Sequence, residues 1–165
     1  MRRISENLEK LINIQIQREE DSSRIYRAMS LFLNDMGWIN GAKLWMKYSK
    51  EEMTHAEYLW NYLLDRDTLP EVQLLPAKKL TLTCVTDVIA QSYEHEIQVS
   101  KWIDEIAKAA LKEGDLTAYQ ALQFLIKEQI EEEQKSKFWV DRLEIIKKTN
   151  SPLLMLERDF EEAIK

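Results

Sequence analysis

Apolar residues recur every three or four positions along four long segments of the chain, which is the spacing of one face of an α-helix. In the first segment this stripe runs from Leu8 to Leu33, and Ser5 just before it is a suitable N-cap. A shorter stripe follows Ser151 and Pro152, which favour the N-cap and the first position of a new helix. The pattern predicts five helices, at about residues 5–34, 38–65, 82–112, 116–147 and 152–163.

The segment between the second and third predicted helices is too long for a tight turn. Residues 66–81 contain Pro70 and Pro76 and show no apolar period. Extended at ~3.3 Å per residue, this linker reaches about 50 Å, whereas a helix of ~26 residues is only ~39 Å long. The linker can therefore run the length of a bundle. We predict a single all-α domain over residues 1–165, a four-helix bundle with a long crossover between helices two and three and a short fifth C-terminal helix.

The composition of the chain agrees with a helical protein that handles cations. Of 165 residues, three are Gly, three are Pro and 32% are charged, with a net charge of −6. That charge disfavours nucleic-acid binding, and the single Cys84 excludes an internal disulfide or a CxxC metal site. No apolar run reaches the ~18 residues of a membrane span and no signal peptide is visible, so we expect a cytoplasmic protein with no membrane partner.

Each of the four long stripes is interrupted by an acidic residue. In the second helix, for example, Glu52 lies seven positions from both Trp45 and Leu59. These acids lie ~13–16 residues from a helix end, which is about 20–24 Å and close to mid-height in every helix. Packing the helices into a bundle would bring all of them to one level. The four acids are Glu19, Glu52, Glu96 and Glu132.

A metal centre would explain why carboxylates occupy positions meant for a core. We expect no Arg or Lys on the same faces at that level, and an unpaired buried charge costs roughly several kcal/mol. Two divalent cations would remove this imbalance. Glu52 and His55, three apart on one helix face, offer a metal two ligands at once. Carboxylates with a single imidazole suit iron or manganese better than a thiolate-seeking metal.

We predict two metal positions that share Glu52 as a bridging ligand and lie ~3.5–4 Å apart. Glu19 and His55 complete the first position. Glu96 and Glu132, with Gln129 nearby, complete the second position.

Four short segments, in this order and spacing, carry a family resemblance: Glu19 with Tyr26, Glu51-Glu52-Met53-Thr54-His55-Ala56, Tyr93-Glu94-His95-Glu96, and Glu128-Gln129-Ile130-Glu131-Glu132-Glu133. With them the sequence resembles the ferritin family, and in particular the non-haem bacterial ferritins. The likeness covers nearly the whole chain and implies a ferritin-like four-helix bundle. It also implies a cage of 24 subunits that oxidises Fe(II) with O2 or H2O2 and stores ferric mineral inside.

The resemblance also assigns roles to individual residues. It implies a ferroxidase centre with two irons, formed by Glu19, Glu52, His55, Glu96, Gln129 and Glu132, with Tyr26 beside it. It implies a third iron site formed by Glu51, Glu128 and Glu131. Gln129 either binds the metal directly or hydrogen-bonds a ligand or a water. Glu94 and His95 are expected to be ordinary surface residues.

Bacterioferritins, which are near relatives, carry a second Glu-x-x-His motif that this chain lacks. Gln129 and Glu132 occupy the matching positions, so the second metal has no imidazole and we expect it to be held more loosely. Met53 falls where bacterioferritins place the Met that binds haem. Haem-free ferritins resemble this sequence at that position too, and we expect no haem.

Two other classes of function stay open at this point. A stable di-iron carboxylate oxidase or peroxidase without a storage cage would need a substrate pocket, and no sequence feature indicates one. A metal-free helical interaction module is disfavoured by the four aligned acids. The first helix carries a second apolar surface that is either a further contact inside the domain or a subunit interface; it comprises Ile14, Ile16, Ile25 and Phe32. As a subunit interface, this surface and the fifth helix favour a homo-oligomer.

Overall fold

A computed structural model describes residues 4–77 and 79–165 and confirms the all-α prediction. Within those ranges the backbone forms helices and loops and no strand. The helices are α1 (Glu6–Asp35), α2 (Ile39–Asp65), α3 (Val85–Glu113), α4 (Leu116–Lys148) and α5 (Met155–Ile164).

The four long helices form two pairs joined by a long crossover, as predicted. α1 packs along α2, and α3 packs along α4. Gly37 makes the tight turn between α1 and α2 at φ +83°, a backbone conformation that favours glycine. The crossover between α2 and α3 is attached to α1, because the Glu71 backbone N–H donates to Asn13 Oδ1 at 2.8 Å.

Side-chain caps set the starts of α1 and α3. Ser5 Oγ accepts a hydrogen bond from Leu8 N–H at 3.1 Å, as expected of an N-cap. The predicted start of α3 at residue 82 is three residues too early. The Asp87 carboxylate accepts the backbone N–H groups of Thr83 and Cys84 at 2.7 and 3.3 Å, so this segment caps the helix instead of joining it.

The predicted start of the fifth helix at Pro152 is also three residues too early. The Pro152 carbonyl accepts Met155 N–H at 3.0 Å, which makes a single turn before the regular helix begins at Met155. Leu153, before the helix begins, is 39% exposed, whereas Leu156 and Phe160 are fully buried. α5 therefore docks onto the bundle through these two side chains.

The interior of the bundle consists of two apolar halves with a polar layer between them. One half is centred on Leu8, Leu59 and Ile103, and the other on Met29, Trp45 and Ile89. On each long helix, buried polar side chains fall in sequence between the two halves. This polar layer comprises Gln15, Glu19, Ser22, Ser23, Ser49, Glu52, His55, Ser92, Glu96, Gln129, Glu132 and Ser136.

The second apolar surface expected on α1 is partly an internal contact. Ile16 is only 2% exposed and belongs to the core, which corrects its placement off the inner face. Ile25 and Phe32 are half-buried and pack against the apolar half around Trp45. The helical period alone did not separate these residues from a surface that faces another subunit.

Phe160 holds α5 against the bundle, and its removal tests this contact. Its ring lies edge-on to Trp45 and Trp139, with ring centroids 5.4 and 4.8 Å apart, and covers Gly41. We expect Phe160→Ala to lower the free energy of unfolding by about 3–5 kcal/mol because it leaves a large cavity. Leu154→Ala, at a side chain 70% exposed in the same segment, should change it by less than about 0.5 kcal/mol. Urea unfolding of both variants measures the difference, and equal stabilities would contradict this account of α5.

Candidate metal centre

The structure brings the acids of the four helices and His55 together in the polar layer. Glu19 lies on α1, Glu52 and His55 on α2, Glu96 on α3 and Glu132 on α4. All are buried, with exposed fractions between 1% and 7%. Four titratable carboxyls and an imidazole at this depth need cations or protons to balance their charge.

The first predicted metal position has a complete set of ligand atoms. Glu19, Glu52 and His55 each offer one, and these three atoms lie within 4.8 Å of one another. His55 Nδ1 is 3.6 Å from Glu52 Oε2 and 4.0 Å from Glu19 Oε2. Glu19 Oε2 is buried and accepts no hydrogen bond, so it has a free lone pair for a cation. Two carboxylates and one imidazole fit Fe(II) or Mn(II).

The other nitrogen of His55 also faces a carboxylate. Nε2 lies 3.7 Å from Glu128 Oε2, on the side of the ring away from Glu19 and Glu52. Histidines that bind metals commonly direct their second ring nitrogen at a carboxylate, which fixes the ring and its tautomer. Glu128, predicted to belong to the third iron site, is therefore placed to orient His55 with Nδ1 towards the metal.

Hydrogen bonds orient Glu96 at the second predicted position. The Tyr26 hydroxyl donates to Glu96 Oε1, and Gln129 Nε2 donates to Glu96 Oε2 at 3.0 Å. Gln129 also donates to the Glu96 backbone carbonyl at 3.2 Å. In this structure Gln129 thus acts as a hydrogen-bond donor to a ligand, and direct metal binding by its amide oxygen stays a prediction.

A lysine reaches the second position, and the expectation of no basic residue at this level is wrong. Lys135 Nζ lies 2.7 Å from Glu132 Oε1 and 3.9 Å from Glu51 Oε2. Lys135 lies three positions after Glu132 on α4, a spacing at which side chains meet. Its α-carbon is off the inner stripe, but its long apolar stem carries the ammonium inward. The Glu-x-x-Lys spacing was the signal that could have revealed it.

Burial raises the pKa of every carboxyl in the centre. Burial, reinforced by the charge of Glu52, raises the pKa of Glu19 to about 8. Burial likewise raises the pKa of Glu96 to about 7, although the Tyr26 hydrogen bond opposes it. Burial, with Glu96 nearby, holds the pKa of Glu52 well above its usual range. The metal-free centre therefore retains protons at neutral pH, and a divalent cation would displace them.

Lys135 reduces this effect at Glu132. Burial raises the pKa of the Glu132 carboxyl, and the Lys135 ammonium partly offsets the rise. Burial lowers the pKa of Lys135 itself, but its hydrogen bond to Glu132 and the charges of Glu132 and Glu51 outweigh burial and raise it overall. The second position therefore carries a positive charge of its own before any metal binds.

The residues predicted for a third iron site lie at the edge of the polar layer. Glu51 and Glu128 are half-buried and Glu131 is exposed. Among the residues that the structure describes, only Glu19, Glu52 and His55 form a group of ligand atoms as close as 4.8 Å. The third site stays a prediction that would need its carboxylates to move together around an ion.

His95 belongs to the surroundings of the centre, contrary to the expectation of an ordinary surface residue. It is half-buried, and its Nε2 lies 2.8 Å from Ser22 Oγ. Its ring stands edge-on to Tyr26, with centroids 5.8 Å apart, so it supports the tyrosine that donates to Glu96. Glu94 is exposed, as expected.

Aromatic side chains close the centre on the side of α5. Trp139 Nε1 donates to the Tyr48 hydroxyl at 3.2 Å, and Trp45 Nε1 donates to Ser92 Oγ at 2.9 Å. The cavity between these rings and the carboxylates is about 10 Å³, room for about one water molecule. The space between the rings and the carboxylates is therefore nearly filled by side chains.

The bundle and its convergent acids define a class of protein: a four-helix bundle that buries, inside one chain, a cluster of carboxylates and an imidazole that could hold a metal. A family model for the ferritin-like domain matches residues 9–146, most of the chain. The chain belongs to the ferritin family.

Individual relatives agree with this assignment. The chain is 30% identical over 156 residues to a probable bacterial non-heme ferritin-like protein of Haemophilus influenzae, covering 94% of each chain. It is 32% identical over 140 residues to a bacterial non-heme ferritin of Bacteroides fragilis, covering 85% of this chain and 88% of that one. A solved open-pore ferritin of the archaeon Archaeoglobus fulgidus matches with a TM-score of 0.92 at 26% identity, covering 98% of both chains.

Family and fold together support iron storage and iron oxidation as the general class of function. The buried Glu19, Glu52 and His55 supply a site where a metal could bind. No helix in the described ranges is long and apolar enough to span a membrane.

The raised pKa of Glu19 predicts how the metal-free protein responds to pH. Its folded pKa of about 8 lies above the unfolded value of 4.5, so between these values the folded state binds more protons than the unfolded state. Stability therefore falls as pH rises through this window. Between pH 5.5 and pH 8 the free energy of unfolding should fall in both proteins. We expect the fall to be about 1–3 kcal/mol smaller in Glu19→Gln than in wild type.

Urea unfolding of metal-free protein at both pH values measures this difference. Glu57→Gln removes an exposed carboxyl from α2 and should leave the wild-type pH dependence unchanged. A Glu19→Gln variant with the same pH dependence as wild type would contradict the assignment of the retained proton to Glu19.

Proposed function

We propose that this chain is an iron-storage ferroxidase that oxidises Fe(II) with O2 or H2O2 and deposits ferric mineral inside a cage of 24 subunits. The observation that carries the proposal is the convergence of Glu19, Glu52 and His55 at one buried point. Glu96 and Glu132 extend this group to a second iron. The names of the matched relatives, bacterial non-heme ferritins, support the same assignment.

Iron is the substrate in this proposal, and two Fe(II) ions together give up two electrons, which reduce one O2 to the level of H2O2. Glu19 and His55 bind the first ion, Glu96 and Glu132 bind the second, and Glu52 bridges them. The carboxyls that hold protons in the metal-free centre release them when Fe(II) binds. Tyr26 keeps Glu96 turned towards the iron, and Gln129 assists it from the opposite oxygen.

The size of the adjoining cavity favours this function over a di-iron enzyme that acts on an organic substrate. The space that touches Glu96 and Glu132 is about 10 Å³, room for about one water molecule and too small for an organic molecule. The groove of about 340 Å³ that reaches Gln129 is lined by exposed side chains such as Ile130 and Lys137, and it does not include Glu96 or Glu132. Glu51, Glu128 and Glu131 form an acidic patch beside the centre, which is suited to attract the oxidised iron as a third site.

Removing the bridging carboxylate tests the centre directly. We expect Glu52→Ala to slow the fast phase of Fe(II) oxidation by at least about 100-fold because both irons lose a ligand. Glu57→Ala, an exposed position on the same helix, should keep the wild-type rate. Stopped-flow absorbance after mixing anaerobic Fe(II) protein with O2 gives the rates, and an unchanged fast phase in Glu52→Ala would contradict the bridging role.

The cage requires its own measurement. A shell of 24 copies of the 19.6 kDa chain has a mass of about 470 kDa, which light scattering distinguishes from a dimer. A sample of that mass should bind two Fe(II) per subunit anaerobically and retain the iron inside after an oxygen pulse. A monomer or dimer that oxidises iron without retaining it would instead favour a di-iron oxidase.

A further inference from the structure

Besides its acids and the His55 imidazole, the centre contains a further charged group, the ammonium of Lys135. Among the described residues, Lys135 is the only Lys or Arg that forms a salt bridge with an acid of the centre, Glu132. Glu132 is one of the four acids predicted to share the two cations. Lys135 is absent from the set of residues that the family resemblance assigns, so its role must be worked out from its contacts.

Lys135 Nζ occupies an oxygen of Glu132 that a second metal would need as a ligand. A zinc ion binds a carboxylate oxygen at about 2.0–2.2 Å, and we expect a divalent iron to bind similarly close, whereas Nζ already lies 2.7 Å from Glu132 Oε1. Two cations on the same oxygen repel each other strongly in a buried layer. We propose that the Lys135 ammonium fills the second cation position of the metal-free and single-metal centre, and that it must withdraw before a second divalent ion binds.

The structure also offers the ammonium a place to go. Glu51 Oε2 is buried without a hydrogen bond and lies 3.9 Å from Nζ, on the outer side of the centre. The Lys135 side chain is 41% exposed, so its stem can swing without disturbing the core. A short rotation transfers Nζ from Glu132 to Glu51.

The charge of the centre favours this exchange. With one divalent ion and Lys135 in place, four ionised carboxylates keep one uncompensated negative charge, which one bound proton neutralises. With two divalent ions the four carboxylates are balanced without the lysine, and Lys135 would add an excess positive charge. The second ion and the ammonium are therefore alternatives, and the first ion is compatible with both.

Two consequences follow for iron. The two positions fill in order, with Glu19, Glu52 and His55 first and the Glu132 side second and more weakly. The withdrawn ammonium then lies on Glu51, one of the three acids of the predicted third site, and lowers the attraction of that site for iron. This inference rests on the proposed function, because it concerns the same metal centre.

Metal binding without oxidation provides the test. Anaerobic Co(II) titration by calorimetry, per subunit of the assembled protein, should show two steps in wild type. In Lys135→Met the second step should tighten by at least about tenfold, while the first stays within about twofold. Lys137→Met is the matched control, because Lys137 is on the same helix, 53% exposed and paired with Asp141, and it should behave as wild type.

A charge-conserving variant and a double-mutant cycle separate charge from packing. Lys135→Arg should keep the weak second step. Glu51→Gln, which removes the alternative partner, should weaken the second step in wild type but have little effect in Lys135→Met. Should Lys135→Met not assemble, Lys135→Gln replaces it with the same expectation.

The possible failures point to different errors. A second step in Lys135→Met within about twofold of wild type, or an equal gain in Lys135→Arg, would overturn the role of the ammonium. The same holds if Glu51→Gln weakens both backgrounds equally. Absence of the first step from wild type would instead contradict the proposed function itself.

Discussion

The structure depends on one constraint: carboxyls from four helices are buried at the same height between two apolar halves. Removing Glu19, Glu52, Glu96 and Glu132 from water carries a large free-energy penalty unless cations or protons compensate their charge. The apolar halves above and below anchor the helices strongly enough to hold the acids there. The same burial therefore raises the pKa of these carboxyls without a metal and favours a cation among them.

Neighbouring side chains donate hydrogen bonds to some of the carboxylate oxygens in this layer and leave another oxygen available to a cation. Gln15 donates to Glu19 at 2.7 Å, and Tyr26 and Gln129 donate to the two oxygens of Glu96. These donors orient the carboxylates. Glu19 Oε2, by contrast, accepts no hydrogen bond. A cation then has a prepared place, since the ligands need little rearrangement. On the α5 side, Trp45 and Trp139 line the small cavity beside Glu96 and Glu132 and leave room for about one water molecule.

The sequence predicted the helices and the convergence of the acids because both follow from a regular period. Glu52 is seven residues from both Trp45 and Leu59, so on a helix it lies on the same face as they do, independently of how the neighbouring helices pack. Helix starts were less predictable, because the Asp87 cap decides where α3 begins and a single turn after Pro152 delays α5. The roles of Lys135 and His95 were missed for a different reason. Their positions border the inner stripe, and only tertiary packing decides whether a long or planar side chain there turns inward or outward.

The two halves of the centre are unequal in a way that suits a substrate more than a resident cofactor. The first position has the imidazole of His55 and the Glu19 oxygen that accepts no hydrogen bond. Glu128 lies next to the other ring nitrogen of His55 and orients the ring. At the second position the Gln129 amide donates to Glu96, and the Lys135 ammonium is paired with Glu132. A permanent two-metal cofactor would be stabilised by equal ligand sets, as a second Glu-x-x-His would provide. In the proposed exchange the second ion displaces a charge that stays close by. We infer that this ion would bind reversibly, and a reversible site could release its iron to a mineral and accept the next ion.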